Sequence, residues 1–257
     1  MTEEITAIVR YVHMWSLLGW YDIKHRYNRS LIGPFWITIS TGVMVASIGM
    51  MFSKIFRTQA GELLPHFAIG QVVWLLISGQ MTEACAMFVQ SQALLKQVPV
   101  PLSVHAFRKL WYNFILFLHN FLIVILVSAL YGKRFSLQSL YFFPGLALIL
   151  ALLFFLSMIL GIICTRFRDI TQIVGVFLQL VYFFTPIFWM KKVLPEKYAW
   201  VTDLNPFYHM IELVRCPLLG ASPDAEHWLY MMLYIMLAAA LAFYLTKAYR
   251  HRVVYWL

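Results

Sequence analysis

Charge is absent from six long runs of this chain. Residues 31–53, 63–82, 110–132, 135–165, 170–190 and 227–246 contain no Asp, Glu, Lys or Arg. A hydrocarbon layer about 30 Å thick takes ~20 apolar residues of helix to cross. A helix satisfies its own backbone hydrogen bonds in lipid, and an open strand edge does not. The pattern predicts an all-α membrane protein with six transmembrane helices in one domain, residues 1–257. Spans one to five fall within residues 31–190 and the sixth in residues 227–247. Residues 1–30 and 248–257 flank them, and residues 191–226 form a long connection before the last span.

The polar segments between the runs have patterns of their own. Ile5, Ile8, Val9, Val12 and Trp15 recur at helical spacing, with Thr6, Arg10 and His13 on another face. That is an amphipathic helix suited to the membrane interface. A basic stretch containing Lys24, Arg26 and Arg29 follows, and Gly33-Pro34 turns the chain into the first span beside Trp36. Those cations suit anionic headgroups, and Trp suits the headgroup layer. Lys96, Gln97, Pro99 and Pro101 lie in a short connection whose prolines are expected to stop the second helix. Arg166, Arg168 and Asp169 make a second short turn. In the long connection, Asn205-Pro206 reads as an N-cap with proline at the first helical position. Phe207, Met210, Ile211 and Val214 then form an apolar stripe up to Cys216-Pro217, too short to span and expected to dip into or lie on the outer face.

Within the spans three features carry chemistry. Thr38, Gly42 and Ala46 repeat every four residues, which lets two helices approach closely, within the subunit or across a dimer seam. Glu83 sits just beyond an uncharged run; a carboxylate there faces a bundle interior or watery vestibule, or makes a structural hydrogen bond near the interface. Tyr182, Phe183, Phe184, Phe188 and Trp189 cluster around Thr185-Pro186. Rings at that position serve packing, a headgroup belt, or stacking surfaces for sugars.

The net charge of +9 is distributed by side. Twelve of the 20 Lys and Arg, but only four of the 11 acids, fall on the side of the termini. Basic residues near span ends stay in the cytoplasm, so both termini are expected there. The charge thus points to a membrane surface, not to nucleic acid. No short apolar core with a small-residue cleavage site begins the chain, so no cleaved signal peptide is expected. Three scattered cysteines give neither a disulfide framework nor metal spacing. The sequence has no Gly-x-x-x-x-Gly-Lys-Ser/Thr phosphate loop, no His-Glu-x-x-His and no ladder of intramembrane carboxylates. Uphill movement of a substrate would need energy from another polypeptide. A membrane glycosyltransferase fits the size, but its expected acidic site with metal- or phosphate-binding companions is not apparent.

Several blocks together resemble the membrane subunit of ABC-2-type exporters of the polysaccharide and O-antigen branch. They are Asp22-Ile23-Lys24, Arg26-Tyr27, residues 30–36, Gln97-Val98-Pro99-Val100-Pro101, residues 166–170, residues 185–189 and Leu204-Asn205-Pro206. The resemblance implies an interface helix, six spans, short re-entrant helices before the last, and a homodimer in the bacterial inner membrane. It implies two separate ATPase subunits that carry ATP and Mg, with no cofactor on this chain. The substrate it implies is a lipid-linked polysaccharide, O-antigen foremost, with capsule, teichoic-acid, drug and small-lipid exporters as alternatives. Arg10, Lys96, Gln97, Arg166, Arg168 and Asp169 would then contact the ATPase. Tyr182, Phe183, Phe184, Phe188, Trp189 and Glu83 would border the substrate path.

Overall fold

The structure is a computed structural model that describes residues 2–28, 30, 32–33, 35–98, 100–132 and 136–257. Arg29, Leu31, Pro34, Pro99 and residues 133–135 fall outside the described residues, as does the side chain of Ile5. Every regular element among the described residues is helical. In chain order they are α1 (Thr2–Arg10), α2 (Val12–Tyr27), α3 (Phe35–Ile55), α4 (Ala60–Gln90), α5 (Gln92–Gln97) and α6 (Leu102–Leu130). A 3-10 turn at Leu137–Tyr141 leads into α7 (Phe142–Arg166), followed by α8 (Ile170–Phe184). Two short 3-10 turns precede α9 (Trp200–Asp203), α10 (Pro206–Leu218) and α11 (Ala225–Trp256).

Five of these units are long and apolar enough to cross a membrane: α3, α4, α6, Leu137–Arg166 and α11. α8 is apolar but has 15 residues, about 22 Å at 1.5 Å per residue. Its end has a local cause. Pro186 has no N–H and disfavours helical geometry at the residue before it, and Thr185 is extended there at ψ 132°. The chain nevertheless continues along α4. Tyr182 packs on Trp74 at 5.6 Å between ring centroids, His66 Nε2 lies 3.1 Å from the Trp189 carbonyl, and Lys192 pairs with Glu62 at 3.1 Å. From Tyr182 to Lys192 the chain therefore runs beside α4 from Trp74 to Glu62, first as the end of α8 and then as bends and a 3-10 turn.

α4 is the hub. Phe67, Val72, Ile77, Met87 and Phe88 on its different faces are all buried, because α3, α6, α7, α8 and α10 pack around it. The small-residue stripe of α3 packs inside the subunit: Thr38 Oγ1 donates to the His119 carbonyl at 3.1 Å and Thr41 Oγ1 to Asn120 Oδ1 at 3.1 Å. Gly145 lets α7 reach α10, where an added Cβ would stand 2.7 Å from the Leu213 carbonyl oxygen.

Four expectations change. The N-terminal segment is two helices broken at Tyr11, and its buried residues are Ala7, Gly19 and Ile23, while Val9 and Val12 are exposed. α4 already ends at Gln90 and α5 intervenes, so the prolines do not stop α4; Pro101 stands at the N-cap of α6. Pro217 lies inside the last turn of α10 and does not end it. Residues 248–257 are no separate tail, because α11 runs unbroken to Trp256. Its end is held by two contacts: Gln92 Nε2 donates to the Leu257 carbonyl at 2.6 Å and Arg166 stacks over Trp256 at 5.5 Å. At the chain's start, Ser103 N donates to Glu4 Oε2 at 3.1 Å, and that carboxylate sits at the positive end of α6. Both termini therefore lie at one end of the bundle.

Candidate functional site

Three groups of side chains carry the polar chemistry, two toward the end of the bundle that holds the termini and one at the opposite end. At the end nearest the termini, α2, α4 and α6 bring together five charges. Arg108 on α6 grips Asp22 on α2 with two hydrogen bonds, Nε to Oδ2 at 2.9 Å and Nη2 to Oδ1 at 2.6 Å. The next residue, Lys109, turns to α4 and donates to Glu83 Oε2 at 2.9 Å, with Asp22 Oδ2 3.7 Å away. Arg26 lies 3.6 Å from Glu83 Oε1 and donates to the Tyr112 hydroxyl. Below this layer Asn113 Nδ2 donates to Gln80 Oε1 at 2.8 Å, and Gln80 Nε2 to Ser157 Oγ on α7 at 2.8 Å. A crevice of about 420 Å³ opens beside them, lined by Arg26, Ile37, Leu75, Ser78, Glu83 and Asn120 among others.

Glu83 is thus a partly buried, ion-paired carboxylate at the edge of a cavity. Arg26, expected as a headgroup anchor, instead faces Glu83 and Tyr112. Lys24 and Trp36 are exposed, as expected of interface residues.

The second group is the exposed surface at the termini's end. Arg10 on α1, Lys96 and Gln97 on α5, Arg166 at the end of α7, and Arg168 and Asp169 in the next turn are all exposed. α1 is seated on the connection after α5 through Ala7, Val100 and Val104. The contacts of Gln92 and Arg166 with the end of α11 join the two connections.

The third group lies at the opposite end. Asn205 caps α10, its Oδ1 accepting from Phe207 N at 2.9 Å. α10 is then buried among the other helices, not laid on a surface. Arg215, 1% exposed, donates to Glu212 Oε1 at 2.7 Å and to the Pro186 carbonyl at 2.8 Å, while its Nε has no partner among the described residues. Gly70 on α4 gives the guanidinium room; a Cβ there would meet Nη2 at 2.5 Å. His209 Nε2 contacts the Asp203 carbonyl at 2.8 Å, and its Nδ1 meets His227 Nδ1 at 2.7 Å. Burial pushes the His209 imidazole below its usual range. As a neutral ring it donates from Nε2 to the carbonyl, so Nδ1 accepts from His227. The sequence offered no sign that Glu212, Arg215 and His209 are buried, beyond their place on a short helix with an apolar stripe.

The aromatic cluster divides. Tyr182 turns inward and donates to Gln71 Oε1 at 2.7 Å. Phe188 packs on Tyr182 and on Phe52, at 5.8 and 5.0 Å. Trp189 Nε1 donates to the Phe183 carbonyl at 3.2 Å. Phe183 and Phe184 are exposed, continuing an outward apolar face with Ile173, Val176, Phe177 and Leu180. Among the described residues no group of three or more His, Cys, Asp or Glu side chains is arranged to hold a metal ion.

Known proteins share this chain's pattern. A family model described as ABC-2 type transporter matches residues 14–219. An O-antigen export system permease protein of Klebsiella pneumoniae is 26% identical over 233 residues, 89% of this chain and 90% of the relative. A second from Klebsiella pneumoniae is 24% identical over 191 residues, 74% of each chain. One from Myxococcus xanthus is 22% identical over 193 residues, again 74% of each. Because the family match takes in every charge of the Glu83 cluster and the whole of α10, the chain belongs to the ABC-2 type transporter membrane domains, transport subunits that work with a nucleotide-binding ATPase and carry no ATPase domain themselves.

Proposed function

We propose that this chain is the permease of an exporter that moves a lipid-linked polysaccharide, of the O-antigen class, outward across the bacterial inner membrane. The observation that carries this reading is the similarity to O-antigen export permeases over most of the chain. The working unit is a homodimer with two ATPase subunits, which hold ATP and Mg. α8 and the bent, partly 3-10 residues 185–192 supply a sixth crossing, supported by their course along α4. Both termini lie in the cytoplasm, in keeping with the surplus of Lys and Arg on their side. Arg10, Lys96, Gln97, Arg166, Arg168 and Asp169 form the docking surface for the ATPase; their exposure at one end of the bundle supports this. α10 is the re-entrant element. Phe183 and Phe184 offer ring faces to a sliding glycan, whereas Tyr182 is engaged inside the subunit.

The test is genetic and biochemical together. Deleting the gene should remove long glycan from the cell surface on gel profiles, and a plasmid copy should restore it. The tagged protein should co-purify with an ATPase. Normal surface glycan in the deletion strain would reject the polysaccharide reading while leaving the family assignment intact.

A further inference from the structure

Two buried imidazoles, one from α10 and one from α11, meet nitrogen to nitrogen at the end away from the termini. His209 is 2% exposed and His227 7%, and their Nδ1 atoms stand 2.7 Å apart. Among the described residues this is the only side-chain hydrogen bond between the two helices. His209 Nε2 is committed to the Asp203 carbonyl at 2.8 Å. A carbonyl only accepts, so that nitrogen keeps its hydrogen, and any further proton on His209 must go to Nδ1.

Counting protons decides when the contact survives. In the neutral pair His227 donates from Nδ1 and His209 accepts. One added proton is tolerated, because either ring can be the cation and one lone pair stays in the gap. A second proton leaves no acceptor, since an imidazolium carries a hydrogen on both nitrogens. Two like charges would then face each other across 2.7 Å. The charged groups acting on the pair are Lys191, Asp203, Glu212, Asp224 and Glu226. The rings of Tyr208, Tyr230 and Tyr234 pack around it. Asp203 is paired with Lys191 and Glu212 with Arg215. Asp224 and Glu226, both exposed and both close to His227 in sequence, have no ion-pair partner among the described residues. They give a charged His227 ring a second place to go.

The contact restrains more than α10. Asn205 Nδ2 donates to Thr185 Oγ1 at 2.9 Å and Arg215 to the Pro186 carbonyl at 2.8 Å, so α10 and its cap hold both residues at the break after α8. We propose that His209 and His227 form a latch which acid on the face away from the termini releases, freeing α10 and the break it holds from α11. Burial keeps His209 below the usual imidazole value of about 6.5. The latch is therefore closed above that pH and opens as pH falls below it. Assigning the acid to the outside of the cell rests on the function proposed above; the latch itself does not.

The test uses the permease–ATPase complex in nanodiscs, with nitroxide labels on Leu204→Cys and Leu229→Cys, both 69% exposed in the native chain. Cys216→Ala removes the half-buried native thiol; Cys85 and Cys164 are buried. Double electron–electron resonance should give one distance near neutral pH and a second, reversible population whose midpoint lies below about pH 6.5. His227→Gln should keep one distance throughout, because an amide can offer either N–H or C=O to His209. Asp224→Asn/Glu226→Gln should move the midpoint down by about half a pH unit or more, since the second cation loses its alternative partners. One distance at every pH in the labelled parent, or the same second population in His227→Gln, would overturn the proposal. Should His227→Gln not assemble, an unmoved midpoint in Asp224→Asn/Glu226→Gln would overturn it instead. In vesicles with the ATPase outward, acidifying the lumen alone should produce the second distance. Its appearance only when the ATPase face is acidified would refute the orientation proposed above and leave the latch standing.

Discussion

Removing the guanidinium of Arg215 should cost more than any other single truncation in the half of the bundle opposite the termini. Arg215 is 1% exposed and its partner Glu212 is 9% exposed, so Arg215→Met leaves a carboxylate with no cation in a dry site. Breaking a buried pair in that way costs about 3–5 kcal/mol. The bond from Arg215 to the Pro186 carbonyl also goes, at about 1 kcal/mol. Removing both charges is a different perturbation. In Arg215→Met/Glu212→Leu no ion is stranded, and replacing a buried pair by apolar groups is often neutral or better. What remains is the unpaired Pro186 carbonyl and the lost contact from Cys216 Sγ to Glu212 Oε2, about 1–2 kcal/mol together. The second substitution should therefore restore about 2–5 kcal/mol of what the first removed, at or above the upper part of the range for contacting residues. Unfolding in mixed micelles titrated with SDS, followed by tryptophan fluorescence, gives all three values. A double variant as unstable as Arg215→Met would refute the reasoning, since the loss would then come from packing and not from the stranded carboxylate.

Gly145→Ala should destabilise by about 1–3 kcal/mol in the same assay, because its Cβ would press on the backbone of Leu213 and cannot be relieved by a rotamer change. Acid should weaken the half opposite the termini: with the imidazole of His209 held below its usual range, its contribution is complete above about pH 6.5 and is lost as pH falls from there through the lowered value. A melting temperature that declines below that pH in the native protein, and less steeply in His209→Gln, is the expected result; parallel curves would reject it. Reversing both Arg168 and Asp169 should reduce co-purification of the ATPase while membrane level stays normal; full association and full export would remove that turn from the docking surface. Phe183→Ala/Phe184→Ala should lower surface glycan at unchanged protein level on immunoblots, whereas loss of the protein itself would mark the pair as a headgroup belt.

The spans were the most legible part of the fold because lipid imposes one rule on every residue of a run. α3, α4, α6, α7 and α11 each contain or overlap an uncharged run. Where a second force competed, the pattern misled. In residues 170–190 hydropathy continues past Phe184, but Pro186 ends the helix through backbone sterics that hydropathy does not register. The amphipathic pattern over Ile8, Val9, Val12 and Trp15 suggested one face toward lipid. Instead Tyr11, Met14 and Trp15 pack on Val100 and Val104, so the segment answers to α6 as much as to the interface.

The charged site was harder to read, for a reason that lies in chain topology. Each charge in the Glu83 cluster has an adequate local explanation: Arg26 beside a membrane surface, Arg108 and Lys109 on the basic side, Asp22 in an interface helix. Their pairing crosses 86 residues between Asp22 and Arg108 and 26 between Glu83 and Lys109. Periodicity and local charge counts do not sense such separations. Placement by α4 decides them. It sets Glu83 opposite Lys109 at one end, and near the other it sets Gly70 beneath Arg215, which holds the Pro186 carbonyl. The same rigid helix is thus clasped by α2 and α6 on the side of the termini, and by α10 and the break after α8 on the far side. Arg26 and Asp22 tie α2 to the charges on α4 and α6, within 4 Å of Glu83, Arg108 and Lys109. Glu83 is costly to bury, and the cations from α2 and α6 on either side of it offset that cost.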